Sequence, residues 1–250
     1  MNEIYFAVVG DVHGHIYEMI DRVEKKSLSA GINLDFVLQV GDFQPCRDEK
    51  DLNTMNLPTK YRQVGDFPDF WNELVAFSWP VWFVGGNHEP YGFLDQYLDG
   101  AELVLNCHYW GRANTKTINN MIIAGLSGIC QEDRFFTKRP EIVNYGQYSN
   151  KDYAYYNQYD FDKIMAAPKP DILLIHDWPE TIVKSTHYGN LHAKKLIERI
   201  FPQIVFCGHM HLSYENVINF KTKICCLPDV LSRNSVRLFS CSTSKGIQEV

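Results

Sequence analysis

Five short apolar runs in this sequence each end in a polar motif, and this pattern restricts the fold more than any other feature. The runs are rich in β-branched and aromatic residues and too short for typical helices, so each predicts a buried strand. They cover residues 4–9, 35–40, 81–84, 171–175 and 204–207. Apolar residues at helical spacing follow the first and fourth runs, with Asn190 as the N-cap of the helix after the fourth, and the apolar spacing over residues 70–77 predicts another helix. Residues 217–220, 224–227 and 236–239 predict antiparallel strands that finish a second sheet. The sequence therefore predicts an α/β (α+β) chain with polar side chains collected at strand ends.

The motif after the third run is Gly85-Gly86-Asn87-His88-Glu89. Two glycines allow a sharp turn with space beside it. Asn87 offers a carbonyl oxygen to a metal ion, and His88 offers a titratable proton. On its own this motif fits a plain turn with a solvated His about as well.

The other four runs end in metal-ligating residue types. Asp11 and His13 are two residues apart, so in extended backbone their side chains point the same way, and His209 and His211 repeat that spacing. The remaining two runs end at Asp42 and His176. Carboxylate, amide and imidazole ligands without thiolate suit Mn, Fe, Zn, Ni or Co, and the ligand types leave the choice open. The set is large enough for two divalent metal ions about 3.5 to 4 Å apart.

Composition narrows the class of protein. With 250 residues, 45% of them hydrophobic, the chain is expected to form one domain over residues 1–250. No apolar run approaches the roughly 20 residues of a membrane helix, and the start does not resemble a signal peptide. Seven cysteines without a CxxC pair predict reduced thiols rather than disulfides or a zinc ribbon. We expect a cytoplasmic protein, or a nuclear one if the source is eukaryotic, with no membrane and no obligate protein partner.

The order of the five motifs, D-x-H, G-D, G-N-H-E, H and G-H-x-H, resembles the calcineurin-like metallophosphoesterase superfamily. The resemblance covers nearly the whole chain and implies two packed mixed β-sheets flanked by helices. It implies that one metal is held by Asp11, His13, Asp42 and His211, and the other by Asp42, Asn87, His176 and His209. It also implies that Asp42 bridges the ions and that His88 protonates the leaving oxygen, so that His88, Asp42 and Asn87 are the catalytic residues.

Further motifs are similar to those of RNA lariat debranching enzymes. These are Gly41-Asp42-Phe43-Gln44, Asp51-Leu52, Pro58-Thr59-Lys60-Tyr61-Arg62, Ser127-Gly128-Ile129, His176-Asp177-Trp178-Pro179 and His187-Tyr188-Gly189-Asn190. The resemblance implies hydrolysis of 2'-5' phosphodiester bonds in branched RNA by a metal-activated hydroxide. Two features differ: Asp11 stands where many debranching enzymes have Cys, and the extra C-terminal domain of the eukaryotic enzymes is not expected.

By the same resemblance, residues 130–156 correspond to an inserted loop that recognises the lariat. This stretch is polar and rich in Tyr, Phe, Arg and Lys, a mixture suited to stacking bases and holding phosphates, although a structural cover over a sheet edge has the same composition. The residues expected to bind substrate are Gln44, Tyr61, Arg62, Arg134, Lys138, Arg139 and Tyr156.

Three functions remain open from sequence alone. The first is a binuclear phosphodiesterase for branched or 2'-5' linked RNA. The second is a general metallophosphoesterase acting on nucleotides, other phosphodiesters or phosphoproteins. The third, a non-catalytic scaffold, is disfavoured because this chain keeps every expected ligand and the expected acid.

Overall fold

The computed structural model describes residues 3–58, 62–141, 146–180, 189–219 and 221–250. In these ranges the strands are β1 Ile4–Val9, β2 Phe36–Gln39, β3 Val81–Phe83, β4 Ala101–Val104, β5 Cys107–Tyr109, β6 Ala113–Ile118, β7 Met121–Leu126, β8 Ile172–Ile175, β9 Ile204–Cys207, β10 Tyr214–Ile218, β11 Thr222–Cys226, β12 Val236–Ser242 and β13 Gly246–Glu249. The helices are α1 Ile16–Ala30, α2 Glu49–Leu52, α3 Phe67–Trp71, α4 Tyr91–Leu94, α5 Gln158–Met165 and α6 Leu191–Ile200, with short 3₁₀ helices at Asp95–Tyr97 and Asn150–Ala154. All five predicted strands form.

The strands build two mixed sheets. The first has the order β13-β12-β1-β2-β3-β5-β4, and β1, β2, β3 and β5 run parallel in it. The second has the order β10-β11-β9-β8-β7-β6, and β11, β9, β8 and β7 run parallel. The predicted architecture of two packed mixed sheets flanked by helices is confirmed.

The core is layered accordingly. Phe6, Phe36 and Phe239 of the first sheet face Phe206 of the second, and the rings of Phe206 and Phe239 lie 4.9 Å apart. A separate cluster fills the space between the first sheet and α1, and another the space between the second sheet and α5 and α6. Both sheets are therefore covered on both faces, which explains the near-continuous apolar runs of the central strands.

Two sequence expectations on secondary structure were wrong. Residues 236–239 were expected to complete the second sheet, but β12 pairs antiparallel with β1 in the first sheet. An apolar alternation identifies a strand without specifying its neighbour, so the sequence could not separate the two sheets.

The second error concerns the helix expected over residues 70–77. Helix α3 ends at Trp71, and Glu73 then takes a left-handed φ of 59° that reverses the chain. Phe77 returns to stack on Phe70 with ring centroids 4.3 Å apart, while Leu74 is 72% exposed. The helical spacing of these apolar residues therefore came from a folded-back turn.

The predicted start of α6 is confirmed. The side chain of Asn190 caps the helix by accepting hydrogen bonds from the backbone N–H groups of His192 and Ala193 at 2.7 and 3.2 Å. Among the described residues, no helix is long and apolar enough to cross a membrane.

Candidate metal centre

The candidate site lies where β1, β2 and β3 of the first sheet and β8 and β9 of the second end. Backbone hydrogen bonds join these strand ends: the N–H groups of Val12 and His13 donate to the carbonyl oxygen of Asp42 at 3.0 and 2.7 Å, and Gly208 N–H donates to His176 O at 3.1 Å. The loops after the strands are thus fixed to one another as well as to their strands.

The first group of donors consists of Asp11, His13 and His211. Nε2 of His211 lies 3.0 Å from Oδ2 of Asp11 and 3.1 Å from Nε2 of His13, and the latter nitrogen lies 4.0 Å from Asp11 Oδ2. Two imidazole nitrogens and a carboxylate oxygen therefore converge on one point.

The second group consists of Asp42, His176 and Asn87. Nε2 of His176 lies 3.1 Å from Oδ1 of Asn87 and 3.5 Å from Oδ2 of Asp42. Its Nδ1 lies 2.9 Å from the carbonyl oxygen of Val40, which can only accept, so Nδ1 carries the proton. The lone pair of Nε2 is then directed toward the two oxygen ligands.

Asp42 lies between the two groups. Its Oδ2 is 3.9 Å from Nε2 of His13 and 3.5 Å from Nε2 of His176, while its Oδ1 accepts a hydrogen bond from His88 N–H at 2.7 Å. Asp11 is also close enough to both groups to take part in each. A carboxylate in this position can bind two cations at once.

The donor set fits divalent metal ions. Bonds of about 2.0 to 2.2 Å place two ligands of one ion about 3 to 4 Å apart, and the distances in both groups fall in that range. Asp11 and Asp42 are at most 1% exposed, and among the described residues no Lys or Arg lies within 4.0 Å of either carboxylate. The positive charge that these buried carboxylates need must therefore come from an imidazolium or from a metal ion.

The pKa values of His176 and Asp42 reflect the strong interaction between the imidazoles and the carboxylates of the site. Burial lowers the pKa of His176, but the carboxylates of Asp42 and Asp11 outweigh it and raise that pKa to about 10. Burial raises the pKa of Asp42, but the charge and hydrogen bond of His176, together with the charges of His88 and His13, outweigh burial and hold that pKa well below its usual value. The carboxylates that favour a second proton on His176, at Nε2, would equally favour a metal cation at that position.

His209 occupies a different position from the other predicted ligands. Its backbone N–H donates to both oxygens of Asp11 at 3.1 Å, and its ring lies 5.0 Å from the ring of His176. Its ring nitrogens lie more than 4.0 Å from the carboxylates of the described residues. The ring lines a separate cavity of about 410 Å³ beside Asp177 and Trp178. His209 therefore borders the second group, and its assignment as a metal ligand stays a prediction.

His88 lines a cleft of about 460 Å³ together with His13 and His211. Its Nδ1 lies 2.6 Å from the carbonyl oxygen of Asn56 and must carry the proton, because a carbonyl cannot donate. Nε2 is then the nitrogen available to exchange a proton in the cleft. The ring lies 5.7 Å from that of His13, which places it beside the first donor group.

Two glycines allow the carboxylates to approach the backbone. A Cβ atom on Gly86 would lie 2.2 Å from Oδ1 of Asp42, and one on Gly208 would lie 2.1 Å from Oδ1 of Asp11. Both glycines are thus required by contact with a ligand.

Sequence reasoning missed residues that hold the loops together. The carboxylate of Glu89 is 1% exposed and accepts hydrogen bonds from the backbone N–H groups of Phe43, Gln44 and Gly86 at 2.8, 2.9 and 3.1 Å, which joins two ligand loops. The amide of Gln39 donates to the carbonyl oxygens of Gly10 and Gly41 at 3.0 and 2.6 Å. A polar residue inside an apolar strand was the available signal for Gln39.

Backbone strain is also concentrated here. Five site residues have a left-handed φ between 48° and 69°: His13, Asp42, Gln44, His209 and His211. Such conformations are costly for residues other than glycine and cluster at functional sites. No sequence pattern indicated them.

The residues expected to bind substrate fall into two places. Gln44 and Arg62 line the cleft of His88; Gln44 is 1% exposed and donates to the carbonyl oxygen of Gln63, and Arg62 bonds to the side chain of Asn53. Tyr61 lies outside the described residues, as do Thr59, Lys60, His187 and Tyr188 of the quoted motifs and residues 142–145 of the inserted loop.

The other four lie in the inserted loop. Arg134 and Lys138 line a separate cavity of about 230 Å³ and pair with Asp152 and Glu141. Arg139 and Tyr156 also border this cavity, but both are largely buried. Arg139 forms an ion pair with Asp160. Tyr156 is 2% exposed, and its hydroxyl accepts a hydrogen bond from Asn190 Nδ2 at 2.6 Å. These contacts anchor the loop to α5 and to the start of α6, and both side chains offer little surface to a base.

Comparison with known proteins gives a consistent result. The protein-family model for calcineurin-like phosphoesterases matches residues 4–213 of this chain. Among curated relatives, lariat debranching enzymes of Arabidopsis thaliana, Entamoeba histolytica and Caenorhabditis elegans are 28%, 29% and 30% identical to this chain. The alignments cover 83%, 84% and 88% of this chain but 54%, 64% and 49% of those enzymes. The chain thus spans about half to two thirds of the length of these relatives.

Solved structures share the fold at low identity. A protein of Thermus thermophilus superposes with a TM-score of 0.61 at 12% identity, covering 100% of this chain and 99% of that one. A dimetal phosphatase from Danio rerio superposes with a TM-score of 0.56 at 13% identity, covering 99% of this chain and 98% of that one. At these identities the likeness extends to the fold alone.

Proposed function

Since this chain belongs to the calcineurin-like phosphoesterase family, we propose that its strand-end site hydrolyses phosphodiester bonds with two divalent metal ions. The observation that carries the proposal is the position of buried Asp42 within 4.0 Å of both an imidazole of the first donor group and an imidazole of the second. Asp11, His13, His211 and Asp42 would hold one ion, and Asp42, Asn87, His176 and His209 the other. Such a pair lowers the pKa of water and stabilises the oxygens of an in-line displacement.

The protein's own residues orient these ligands. His176 donates through Nδ1 to Val40 and so keeps Nε2 free for coordination. Oδ1 of Asp42 is occupied by the His88 N–H, which fixes the rotation of the carboxylate and directs Oδ2 to the space between the imidazoles. These contacts would hold the ligands in orientations suited to binding two ions.

His88 is the proposed general acid. The Asn56 carbonyl fixes the tautomer with Nδ1 protonated, so Nε2 can hand a proton to the departing oxygen only from the imidazolium form, and it recovers neutrality on doing so. A sugar alkoxide leaves poorly without that proton. His88 thus contributes most where the leaving group is most basic.

We further propose branched or 2'-5' linked RNA as the substrate. The support is the likeness to lariat debranching enzymes over more than four fifths of this chain. At a branch point both the 2' and 3' oxygens are esterified, so no neighbouring hydroxyl is available to attack and water must be the nucleophile. A site that holds metal ions beside a positioned acid suits that requirement.

The test of the catalytic proposal compares wild type with His88→Ala after loading with Mn²⁺. The variant should keep its metal content and lose about 10² to 10⁴-fold in kcat on ribonucleotide diesters, with a smaller loss on nitrophenyl diesters because nitrophenolate needs little protonation. His15→Ala is the matched control, since His15 lines the same cleft without a proposed role. Equal losses on both substrates, or an equal loss in the control, would remove His88 from this role.

A further inference from the structure

We propose that Asn150 is a positioning residue for His88, through which the inserted loop, residues 130–156, sets the geometry of the catalytic acid. This inference deepens the proposed function and rests on His88 acting as the acid. Asn150 touches neither the donor groups nor the cleft, so its action is indirect.

The connection runs through two neighbouring peptide groups. Nδ2 of Asn150 donates to the carbonyl oxygens of Asn53 and Met55 at 2.8 and 2.9 Å. The next carbonyl along the chain, that of Asn56, accepts the Nδ1 proton of His88 at 2.6 Å. Because the Met55 and Asn56 carbonyls belong to consecutive residues, a shift of the first tilts the second. One amide group in the inserted loop is therefore one residue removed from the hydrogen bond that orients the acid.

The start of the intervening loop is held independently. Asp51 forms a bidentate ion pair with Arg47 at 2.7 and 2.9 Å and accepts a hydrogen bond from the Thr54 hydroxyl through its carbonyl. Thr54 in turn accepts from Gly92 N–H. These contacts fix the chain up to Thr54. The next two carbonyl oxygens along the chain are those of Met55, which accepts from Asn150, and Asn56, which accepts from His88.

The position of Asn150 is fixed by contacts with the rest of the protein. It begins the 3₁₀ helix Asn150–Ala154, whose start is closed by reciprocal hydrogen bonds between Ser149 and Asp152. The carbonyl oxygen of Tyr153 accepts from Nη2 of buried Arg112 at 2.7 Å, and Arg112 is itself paired with Asp95. The helix is thus tied to the core of the protein, and Asn150 projects from it onto the loop before His88.

The functional consequence is a coupling between recognition and chemistry. Because Asn150 holds the Met55 carbonyl, the inserted loop determines where the Asn56 carbonyl lies and how the His88 ring is oriented. Loss of the Asn150 contact would let the ring turn out of the position that serves the leaving oxygen, and the rate would fall through the acid rather than through affinity.

The experiment uses Asn150→Ala and the isosteric Asn150→Asp, which keeps the side-chain volume and replaces both N–H donors by acceptors. Asn72→Ala is the matched control, since Asn72 also donates through Nδ2 to a backbone carbonyl, that of Pro68, away from the site. Metal content should stay at wild-type values. The kcat for a methyl-ester leaving group should fall by up to about 10²-fold, and the kcat for a nitrophenyl leaving group should change little. In a His88→Ala background, Asn150→Ala should have no further effect on kcat.

A second readout does not require activity. In ¹⁵N-imidazole NMR, the Nδ1–H of His88, assigned by its loss in His88→Ala, should exchange slowly in wild type and in Asn72→Ala and exchange faster in both Asn150 variants. An unchanged His88 signal, or losses that add in the double variant, would overturn the coupling. If the chain hydrolysed none of the diesters while the NMR change occurred, the proposed function would fail and the positioning role would stand.

Discussion

Replacing Gly86 by Ala should disable the metal centre by displacing Asp42. The φ of Gly86 is not in the left-handed region, so its backbone accepts an L-residue, and the effect arises from contact alone. The added Cβ would lie 2.2 Å from Oδ1 and 2.5 Å from the backbone N of Asp42. Because one of these atoms is backbone, rotation of the Asp42 side chain cannot relieve both contacts.

The size of the effect follows from those distances. Ordinary contact begins at 3.4 Å, so the carboxylate must retreat by 3.4 − 2.2 = 1.2 Å. A displacement of about 1 Å in a catalytic group costs about 10²-fold in rate. Overpacking of this kind costs about 1 to 3 kcal/mol of folding free energy, and each kcal/mol lowers Tm by about 2 to 4 °C in a chain of this length.

The assay measures metal content by elemental analysis, kcat on a chromogenic diester and Tm on the same preparation. Gly85→Ala is the control, because its Cβ would meet the Tyr91 hydroxyl at 2.8 Å, which is not a ligand. That control should lose some stability and keep its metals. A Gly86→Ala protein with two bound ions and wild-type kcat would refute the assignment of Asp42 as the shared ligand.

Three further predictions address other parts of the molecule. Asp42→Asn should lose both ions, because a neutral amide cannot offset the repulsion between two cations, and full occupancy by elemental analysis would contradict this. Asp95→Ala should lower the free energy of unfolding in urea by about 3 to 5 kcal/mol, because it leaves the buried Arg112 guanidinium without its carboxylate. Asp99→Ala, which removes the exposed pair with Lys163, should lower it by only about 0 to 1 kcal/mol. Similar losses in the two variants would show that burial does not decide the difference. Arg134→Ala should raise KM for branched RNA and leave hydrolysis of a small diester intact, and an unchanged KM would remove this side chain from substrate binding.

The meeting of the candidate ligands could be predicted because sequence order becomes spatial order at strand ends. Asp11, Asp42 and Asn87 follow adjacent parallel strands, so their motifs had to meet once the strands were identified. His176 follows β8 and His211 follows β9 in the second sheet in the same way. Only the family resemblance predicted that the strand ends of the two sheets meet, because no periodicity in the sequence indicated it.

The supporting contacts could not be predicted, because they join loops that have no regular pattern. The Asn56 carbonyl is 32 residues before His88, and Asn150 is 95 residues after Met55. The burial of Tyr156 was equally hidden, since an aromatic residue in a polar segment is typical of a stacking surface. The residue type shows that a Tyr side chain can stack on a base, but only the packing around it shows whether its ring is exposed.

The proposed substrate is tested by comparing four substrates with one metal-loaded preparation: branched RNA, linear 2'-5' RNA, linear 3'-5' RNA and a phosphomonoester. Initial rates would give kcat/KM for each. Branched RNA is expected to give the highest kcat/KM, with cleavage at its 2'-5' bond and loss of that cleavage in His88→Ala. Equal kcat/KM for branched and linear 3'-5' RNA, or a preference for the phosphomonoester, would contradict it.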